Sequence, residues 1–313
     1  MNSHFLAWAL STPWALQPDR MAAYAAVLAR RYAGGMKAER DSDGRPGSDR
    51  MGGDGLDTKA AVQRAGSGRR GAIAVIPIHG AIVQRASQIN ICDGGTSTQA
   101  VSNALREANA DDTVDSILLD IDSPGGSVYG VAELAAEIRA STKPVTAIAN
   151  SLAASAGYWL GSAAREFFVT PGGEVGSIGV WMAHEDWSKA LDEMGIKTTL
   201  ISAGAYKVEG NPYEPLGDDA RAFLQSRTND YYGAFTRDVA KGRKVSVDQV
   251  RGGMGQGRVL GADQAKAENM VDGVMTFDQV VRHIQRNSTS ASAGRKAESE
   301  RTRQQLALLS LQG

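Results

Sequence analysis

Three short apolar runs alternate with amphipathic segments in the middle of the chain. The runs are AIAVIPI (72–78), SILLDI (116–121) and VTAIA (145–149). Strands that are apolar on both faces are typical of a parallel sheet covered by helices. Between the runs, residues 98–109 and 127–140 carry apolar side chains at helical spacing. This alternation predicts an α/β domain with a parallel sheet, flanking helices and right-handed crossovers.

The pattern divides the whole chain into four parts. Residues 1–34 combine apolar turn material with an amphipathic helix, and we expect them to dock on the protein body. Residues 35–70 are rich in Gly, Asp and Arg and too poor in large apolar groups to offset ordering entropy, so they predict a flexible linker. Residues 71–286 form the predicted domain, with a third helix near Ala154 and a helical C-terminal part. Residues 287–313 are polar, and we expect them to be disordered.

Composition narrows the classes of function. A net charge of −1 gives no general reason to expect a nucleic-acid partner. The single cysteine, Cys92, excludes an intrachain disulfide framework and fits either a small core residue or a reactive thiol. No stretch is long and apolar enough to span a bilayer. The segment FLAWALSTPWAL (5–16) is short and interrupted by Pro13, which favours a docking segment that buries Trp8 and Trp14 over a signal peptide.

A glycine-rich turn, DSPGGSV (122–128), directly follows the strand predicted at 116–121. Ligand sites in open α/β sheets form at the carboxyl ends of strands. The backbone N–H groups of Gly125 and Gly126 are therefore candidates for an oxyanion hole, where one donor is worth about a hundred- to thousandfold in rate. An ordinary strand-to-helix turn is the alternative.

Two further turns place a serine among small residues. In NSLAASAGYWLGSAA (150–164), Ser155 stands where a strand gives way to a helix, whose N-terminus favours an anion. The alternative is a small-residue helix packed in the core, with Ser155 bonded to a carbonyl. In GEVGSIGV (173–180), Ser177 either orients a lysine or caps its own turn.

A nucleophilic serine needs a base. The histidines are His4, His79, His184 and His283. Of these, His184 is placed in sequence to partner Ser155, and His79 fits a structural role. Lysine serves instead where desolvation favours its neutral form. Lys207 stands in the small-residue stretch SAGAYK, although a solvated surface group is the ordinary state of a single lysine.

Taken together, these motifs resemble the signal peptide peptidase A (SppA) family of serine–lysine proteases. SLAASAGYWLGSAA is similar to the family's nucleophile segment and implies a reactive Ser155. SAGAYK implies that Lys207 is the general base, and PGGEVGSIGV implies that Ser177 assists it. DSPGGSV is similar to the family's oxyanion loop. The implied oxyanion hole consists of Gly125, Gly126 and the N–H of Ser155 itself.

The resemblance covers residues 72–284, with intervals of 22 positions from Ser155 to Ser177 and 52 from Ser155 to Lys207. It implies a ClpP/crotonase-like fold and a serine endopeptidase with a Ser–Lys dyad that needs no metal or other cofactor. It also implies extended peptide substrates cut at small or apolar side chains. Members form rings or domes, so we expect a homo-oligomer whose neighbouring subunits help to complete each active site.

Cellular members of this family are typically membrane-anchored, and this sequence shows no anchor. Its apolar first segment, polar linker and polar tail are similar instead to the phage and prophage branch, which acts in head maturation. The resemblance thus implies a phage scaffold, capsid or portal protein as substrate. It places the activity in the host cytoplasm or inside the prohead. A host-type signal-peptide or quality-control peptidase is the alternative within the family.

Three other interpretations stay open. A Clp-type protease would use His184 as the base of Ser155, with Asp186 or Asp192 as the acid. A non-catalytic assembly protein would use the fold only to form rings. A crotonase-type acyl-CoA enzyme would use the glycine-rich loop but would not need the paired Ser155 and Lys207.

Overall fold

The computed structural model describes part of the chain. The described residues are 13–16, 63–65, 72–85 and 95–287. Cys92, Trp8, the helix predicted near the N-terminus and the predicted tail lie outside these ranges. Of the predicted linker 35–70, the described part is Gln63–Ala65, which forms a strand.

Strands and helices alternate through the described residues as the apolar pattern predicts. The strands are β1 (Trp14–Leu16), β2 (Gln63–Ala65), β3 (Ala72–His79), β4 (Ala81–Val83), β5 (Gly95–Ser97), β6 (Val114–Ser123), β7 (Gly125–Ser127), β8 (Val145–Ala154), β9 (Glu166–Val169), β10 (Glu174–Gly176), β11 (Val259–Gly261) and β12 (Gly273–Val274). The helices are α1 (Thr98–Ala110), α2 (Val131–Arg139), α3 (Ala156–Ser162), α4 (Ser188–Glu193), α5 (Asp218–Arg243), α6 (Val247–Gly252), α7 (Ala262–Ala267) and α8 (277–287).

The large sheet runs in the order β11-β10-β8-β6-β3-β2, and β9 and β12 extend it beside the first half of β8. The pairs β3–β6, β6–β8, β8–β9, β8–β10 and β9–β12 are parallel, and β2 and β11 join antiparallel. The three apolar runs form β3, β6 and β8 at the centre of this sheet. The predicted α/β fold with a parallel sheet and flanking helices is confirmed.

Both faces of the sheet are covered. The larger core lies between one face and helices α1, α2, α3 and α5, with Leu119, Trp159 and Phe235 fully buried. On the other face, Leu118 and Phe168 pack against α8. None of the helices in the described ranges combines the length and apolarity needed to cross a membrane.

The helix predicted over 127–140 begins later, at Val131. The preceding residues form β7 in a second, smaller sheet with the order β1-β7-β4-β5. A side chain at Gly126 would place its Cβ 1.8 Å from the carbonyl oxygen of Ile82, so only glycine lets these strands approach so closely. Gly130, at φ 79°, then starts the helix.

Two polar contacts fix α5 against the rest of the domain. Asp238 accepts hydrogen bonds from Arg139 Nη2 at 2.8 Å and Trp159 Nε1 at 2.9 Å. Arg243 forms a two-pronged contact with Asp272, at 2.9 and 3.0 Å. The first contact joins α5 to α2 and α3, and the second joins its end to the turn before β12.

Candidate active site

Ser155 occupies a sharp turn between the end of β8 and the start of α3. Its φ and ψ are 55° and −116°, a conformation that L-residues rarely adopt. Its carbonyl accepts the first bond of the helix, from the N–H of Trp159 at 2.9 Å. The residue is 1% exposed. Such strain at a strand-to-helix turn is common at functional sites, where the surrounding structure holds it in place.

Ser177 lies beside Ser155 at the end of the neighbouring strand. β10 runs parallel to β8 with Gly176 opposite Ala154, so the residues that follow are neighbours. The N–H of Ser155 donates to the carbonyl of Gly176 at 2.7 Å, and that of Ser177 to Arg258 at 2.7 Å. Ser177 also has a positive φ, 54°. In the part of the chain described, neither serine hydroxyl makes a hydrogen bond, so neither is committed to a structural contact.

The glycine-rich strand β7 passes directly beside Ser155. A Cβ built on Gly125 would lie 2.9 Å from the Cβ of Ser155, and Gly125 has a φ of +101°. Its N–H donates to Ser123 Oγ at 3.1 Å, and that hydroxyl donates to the Gly80 carbonyl at 2.6 Å. The structure therefore brings together three of the predicted elements: the nucleophile turn, the serine turn and the glycine-rich loop.

Two of the three predicted oxyanion donors are already engaged in this conformation. The Ser155 N–H is bonded to Gly176, and the Gly125 N–H to Ser123. A better-placed amide is that of Ala156, at the first position of α3, where an N–H has no acceptor within its helix. Sequence reasoning missed it, although the residue after the nucleophile supplies such a donor in α/β-hydrolases.

Lys207 lies in solvent in the single chain. It stands in an exposed turn, with its N–H bonded to the carbonyl of Gly204 at 3.2 Å. Among the described residues, its ammonium makes no hydrogen bond or ion pair, and none joins it to Ser155 or Ser177. One copy of the chain therefore does not assemble the predicted dyad.

The segment around Lys207 is an extended arm, residues 187–213, that exposes apolar side chains. The large ones are Trp187, Met194, Ile196, Leu200, Ile201, Tyr206 and Tyr213. Ile201 is 97% exposed, and α4 buries none of its residues. An apolar surface of this extent marks a protein interaction site.

The histidines have other partners. His184 Nε2 donates to the carbonyl of Asn211 at 3.0 Å. The side chain of Ser188, and then its backbone N–H, lower the pKa of Asp186 by hydrogen bonding to the carboxylate. The described residues thus contain no Ser–His–Asp triad with Ser155. His79 lies 3.5 Å from Asp120, whose hydrogen bond raises the pKa of the imidazole against the opposing effect of burial.

Two family models match the chain. The model described as Peptidase family S49 matches residues 137–290, and the model described as Clp protease matches residues 80–175. Both matches include Ser155. The S49 match also includes Ser177 and Lys207, and the Clp match includes the glycine-rich strand beside the nucleophile turn.

Curated relatives come from phages and from cells. The chain is 42% identical over 181 residues to capsid assembly protease C of Escherichia phage lambda, covering 57% of this chain and 41% of the relative. It is 34% identical over 268 residues to head-tail preconnector protein GP5 of Enterobacteria phage P21, covering 80% and 51%. It is 29% identical over 171 residues to a putative signal peptide peptidase SppA of Enterococcus faecium, covering 54% and 49%. The chain spans about half the length of the curated relatives it matches. The predicted resemblance to SppA-like proteases and their phage branch is confirmed.

Proposed function

We propose that this chain is a serine endopeptidase with Ser155 as nucleophile and Lys207 as general base, a proposal supported by the match of residues 137–290 to the peptidase family S49 model. The observation that carries the proposal is the meeting of Ser155, Ser177 and Gly125 at the ends of adjacent strands. A strained, buried serine lies beside a glycine-rich strand, and glycine lets a peptide backbone approach closely at that point. Nothing in a core-packing role requires this combination.

The lysine comes from a neighbouring copy of the chain. A solvated ammonium is protonated at neutral pH and becomes a base only where burial favours its neutral form. The arm of residues 187–213 exposes apolar side chains around Lys207. Packing of this arm against a second copy would take both the apolar surface and the lysine out of water, beside the Ser155 of that copy. The active protein is therefore a homo-oligomer.

Each step of the reaction follows from these groups. Neutral Lys207 takes the proton of Ser155 while the serine oxygen attacks the peptide carbonyl. Backbone N–H groups near Gly126, with that of Ala156, stabilise the oxyanion. Lys207 then protonates the leaving amine, and water hydrolyses the ester. Ser177 holds the lysine in place.

The substrates follow from the surroundings of the site and from the relatives. An extended peptide with a small side chain fits beside Gly125, where backbone and side-chain atoms leave little space. The names of two relatives refer to capsid assembly and to the head-tail preconnector. We therefore propose phage scaffold, capsid or portal proteins as substrates, cleaved in the host cytoplasm or the prohead. In the proposed organisation, residues 71–286 are the protease domain, 1–34 dock on it, and 35–70 and 287–313 are a linker and a tail.

The test is cleavage of candidate scaffold and portal proteins by the assembled chain. Ser155→Ala and Lys207→Ala each lower the rate at least about a thousandfold, as expected for members of a catalytic pair. Mixing the two inactive variants restores part of the activity, because each supplies what the other lacks. His184→Ala is the control and retains nearly full turnover. Loss of activity in His184→Ala, with full activity in Lys207→Ala, contradicts the dyad.

A serine-reactive probe distinguishes the proposed enzyme from a non-catalytic assembly protein. The proposed enzyme is labelled at Ser155 in the oligomer, and Ser155→Ala is not. An assembled wild type that the probe does not label is an assembly module and not a protease.

A further inference from the structure

Strand β1 lies across the candidate site in the manner of a bound peptide. Its residues Trp14–Leu16 pair antiparallel with β7, with Leu16 opposite Gly125 and Ala15 opposite Gly126. On its other side, Trp14 exchanges two main-chain hydrogen bonds of 3.0 Å with Trp181. A strand held by main-chain hydrogen bonds on both sides is a common way for a protein to bind an extended peptide.

The carbonyl of Ala15 lies close to the nucleophile turn, next to Gly125 of β7. A Cβ on Gly125 would lie 2.1 Å from the Ala15 carbonyl oxygen, 3.1 Å from its carbon and 2.9 Å from the Cβ of Ser155. The Ala15 carbonyl and the Ser155 side chain are thus both neighbours of Gly125 in β7. That carbonyl belongs to the Ala15–Leu16 peptide bond.

The side chain of Ala15 has the size that the site allows. Ala15 is 0% exposed and belongs to the large core cluster, whereas the neighbouring Trp14 is 4% exposed on the opposite face of the strand. A larger or charged side chain at position 15 would have to displace buried atoms. The position accepts alanine, glycine or serine and rejects glutamate.

We propose that the chain cleaves its own Ala15–Leu16 bond, an inference that rests on the proposed protease function. The Ser155 oxygen forms a bond to the Ala15 carbonyl carbon, and its proton goes to the base. The bond to the Leu16 nitrogen breaks, and that nitrogen takes the proton. Water then hydrolyses the Ala15 ester, which releases residues 1–15 with a new carboxylate and restores Ser155. The departure of β1 opens β7 to other substrates.

The experiment follows the mass of the purified full-length chain over time, in wild type, Ser155→Ala and two variants of position 15. Wild type loses residues 1–15 and acquires Leu16 as its first residue. Ser155→Ala keeps its original mass. Ala15→Ser is cleaved at a rate within about tenfold of wild type. Ala15→Glu is cleaved at least about a hundredfold more slowly, because the site does not accept a long charged side chain at this position. Circular dichroism confirms that both variants fold.

A synthetic peptide of residues 11–19, STPWALQPD, separates failure of this inference from failure of the proposed function. The assembled protein cuts it after alanine. If the protein hydrolyses scaffold or portal protein but keeps residues 1–15 and only binds the peptide, β1 is an inhibitor and self-cleavage is wrong, while the protease stands. If Ser155→Ala is shortened at the same rate as wild type, another protease makes the cut. If no substrate is hydrolysed, the proposed function itself fails.

Discussion

At the scale of single residues, the proposed chemistry depends on two serines with positive φ. Ser155, at φ 55°, and Ser177, at φ 54°, each follow a strand of the same parallel pair. Such a backbone costs about 1–3 kcal/mol per residue and persists only where neighbours impose it. Small-residue motifs in the sequence were enough to predict both positions. The occupied N–H of Ser155 was not predictable, because it depends on the register between β8 and β10.

Substitution of Ser177 tests its role in positioning the base. We expect Ser177→Ala to lower kcat about ten- to hundredfold with KM little changed, which is less than the roughly hundred- to ten-thousandfold contribution of a general base itself. Because Ser177 acts through the lysine, the pH–rate profile also moves, with full activity requiring more alkaline pH. Ser177→Thr keeps the hydroxyl and restores most of the rate. A normal pH profile for a slow Ser177→Ala would assign the residue a structural role only.

Helix α3 shows how elements position the site. It carries Trp159, which stacks on Phe235 of α5 at 4.5 Å between ring centroids and donates to Asp238. At this scale, long strands and helices with clear periodicity were predicted well. The three-residue strands β4, β5, β7 and β10 were missed, because so few residues show no period and their pairing is decided by distant partners. The helix start predicted at residue 127 was wrong for the same reason.

Replacement of Asp238 by asparagine tests this anchoring. Asn offers one acceptor where two donors, Arg139 and Trp159, now meet a carboxylate that is 8% exposed. We expect Asp238→Asn to lower the free energy of unfolding by about 2 kcal/mol, because the partly buried Arg139 loses a charged hydrogen-bond partner. Urea denaturation measures the change. Arg106→Ala breaks an exposed ion pair and is the control, with a cost of less than about 1 kcal/mol.

The contact between Arg243 and Asp272 makes stability depend on pH. Burial acts to raise the pKa of Asp272, but hydrogen bonds from Arg243 and from the Phe167 N–H outweigh it, and the pKa is lowered. A carboxylate with a depressed pKa stabilises the fold above its unfolded pKa of about 3.9, and that stability is lost as pH falls through the folded value. At pH 7, Asp272→Asn is therefore less stable than wild type, by about 2 kcal/mol for the lost charged hydrogen bonds.

Urea denaturation of wild type and of Asp272→Asn, repeated at decreasing pH from pH 7, measures how far stability depends on the charge of Asp272. The difference in unfolding free energy between wild type and Asp272→Asn shrinks below about pH 4, because the unfolded carboxyl takes up a proton there and the folded carboxyl follows at lower pH. A difference that stays constant over the whole range would show that the contact contributes through packing and not through charge.

The whole molecule leaves its proposed base outside the site of the single chain. Sequence motifs placed Lys207 in the same catalytic set as Ser155, yet the exposed arm carries it away from the two serines of its own chain. A sequence records which groups are used but not which copy supplies them. Exposed apolar side chains at this arm, visible only in the folded chain, give a physical reason for the assembly that we propose.

Substitution at the tip of the arm tests whether assembly makes the enzyme. Ile201 is 97% exposed, so Ile201→Asp costs the single chain almost nothing, and the monomer keeps its thermal stability. In an oligomer the same change buries an unpaired carboxylate, which costs several kcal/mol and shifts the population to monomers. We therefore expect analytical ultracentrifugation to show monomers and peptide hydrolysis to fall at least about a hundredfold, which corresponds to about 2.7 kcal/mol. Ala110→Asp, an apolar-to-acidic change at an exposed site on α1, is the matched control and leaves both assembly and activity intact. An Ile201→Asp protein that is monomeric yet fully active would require a base within the same chain.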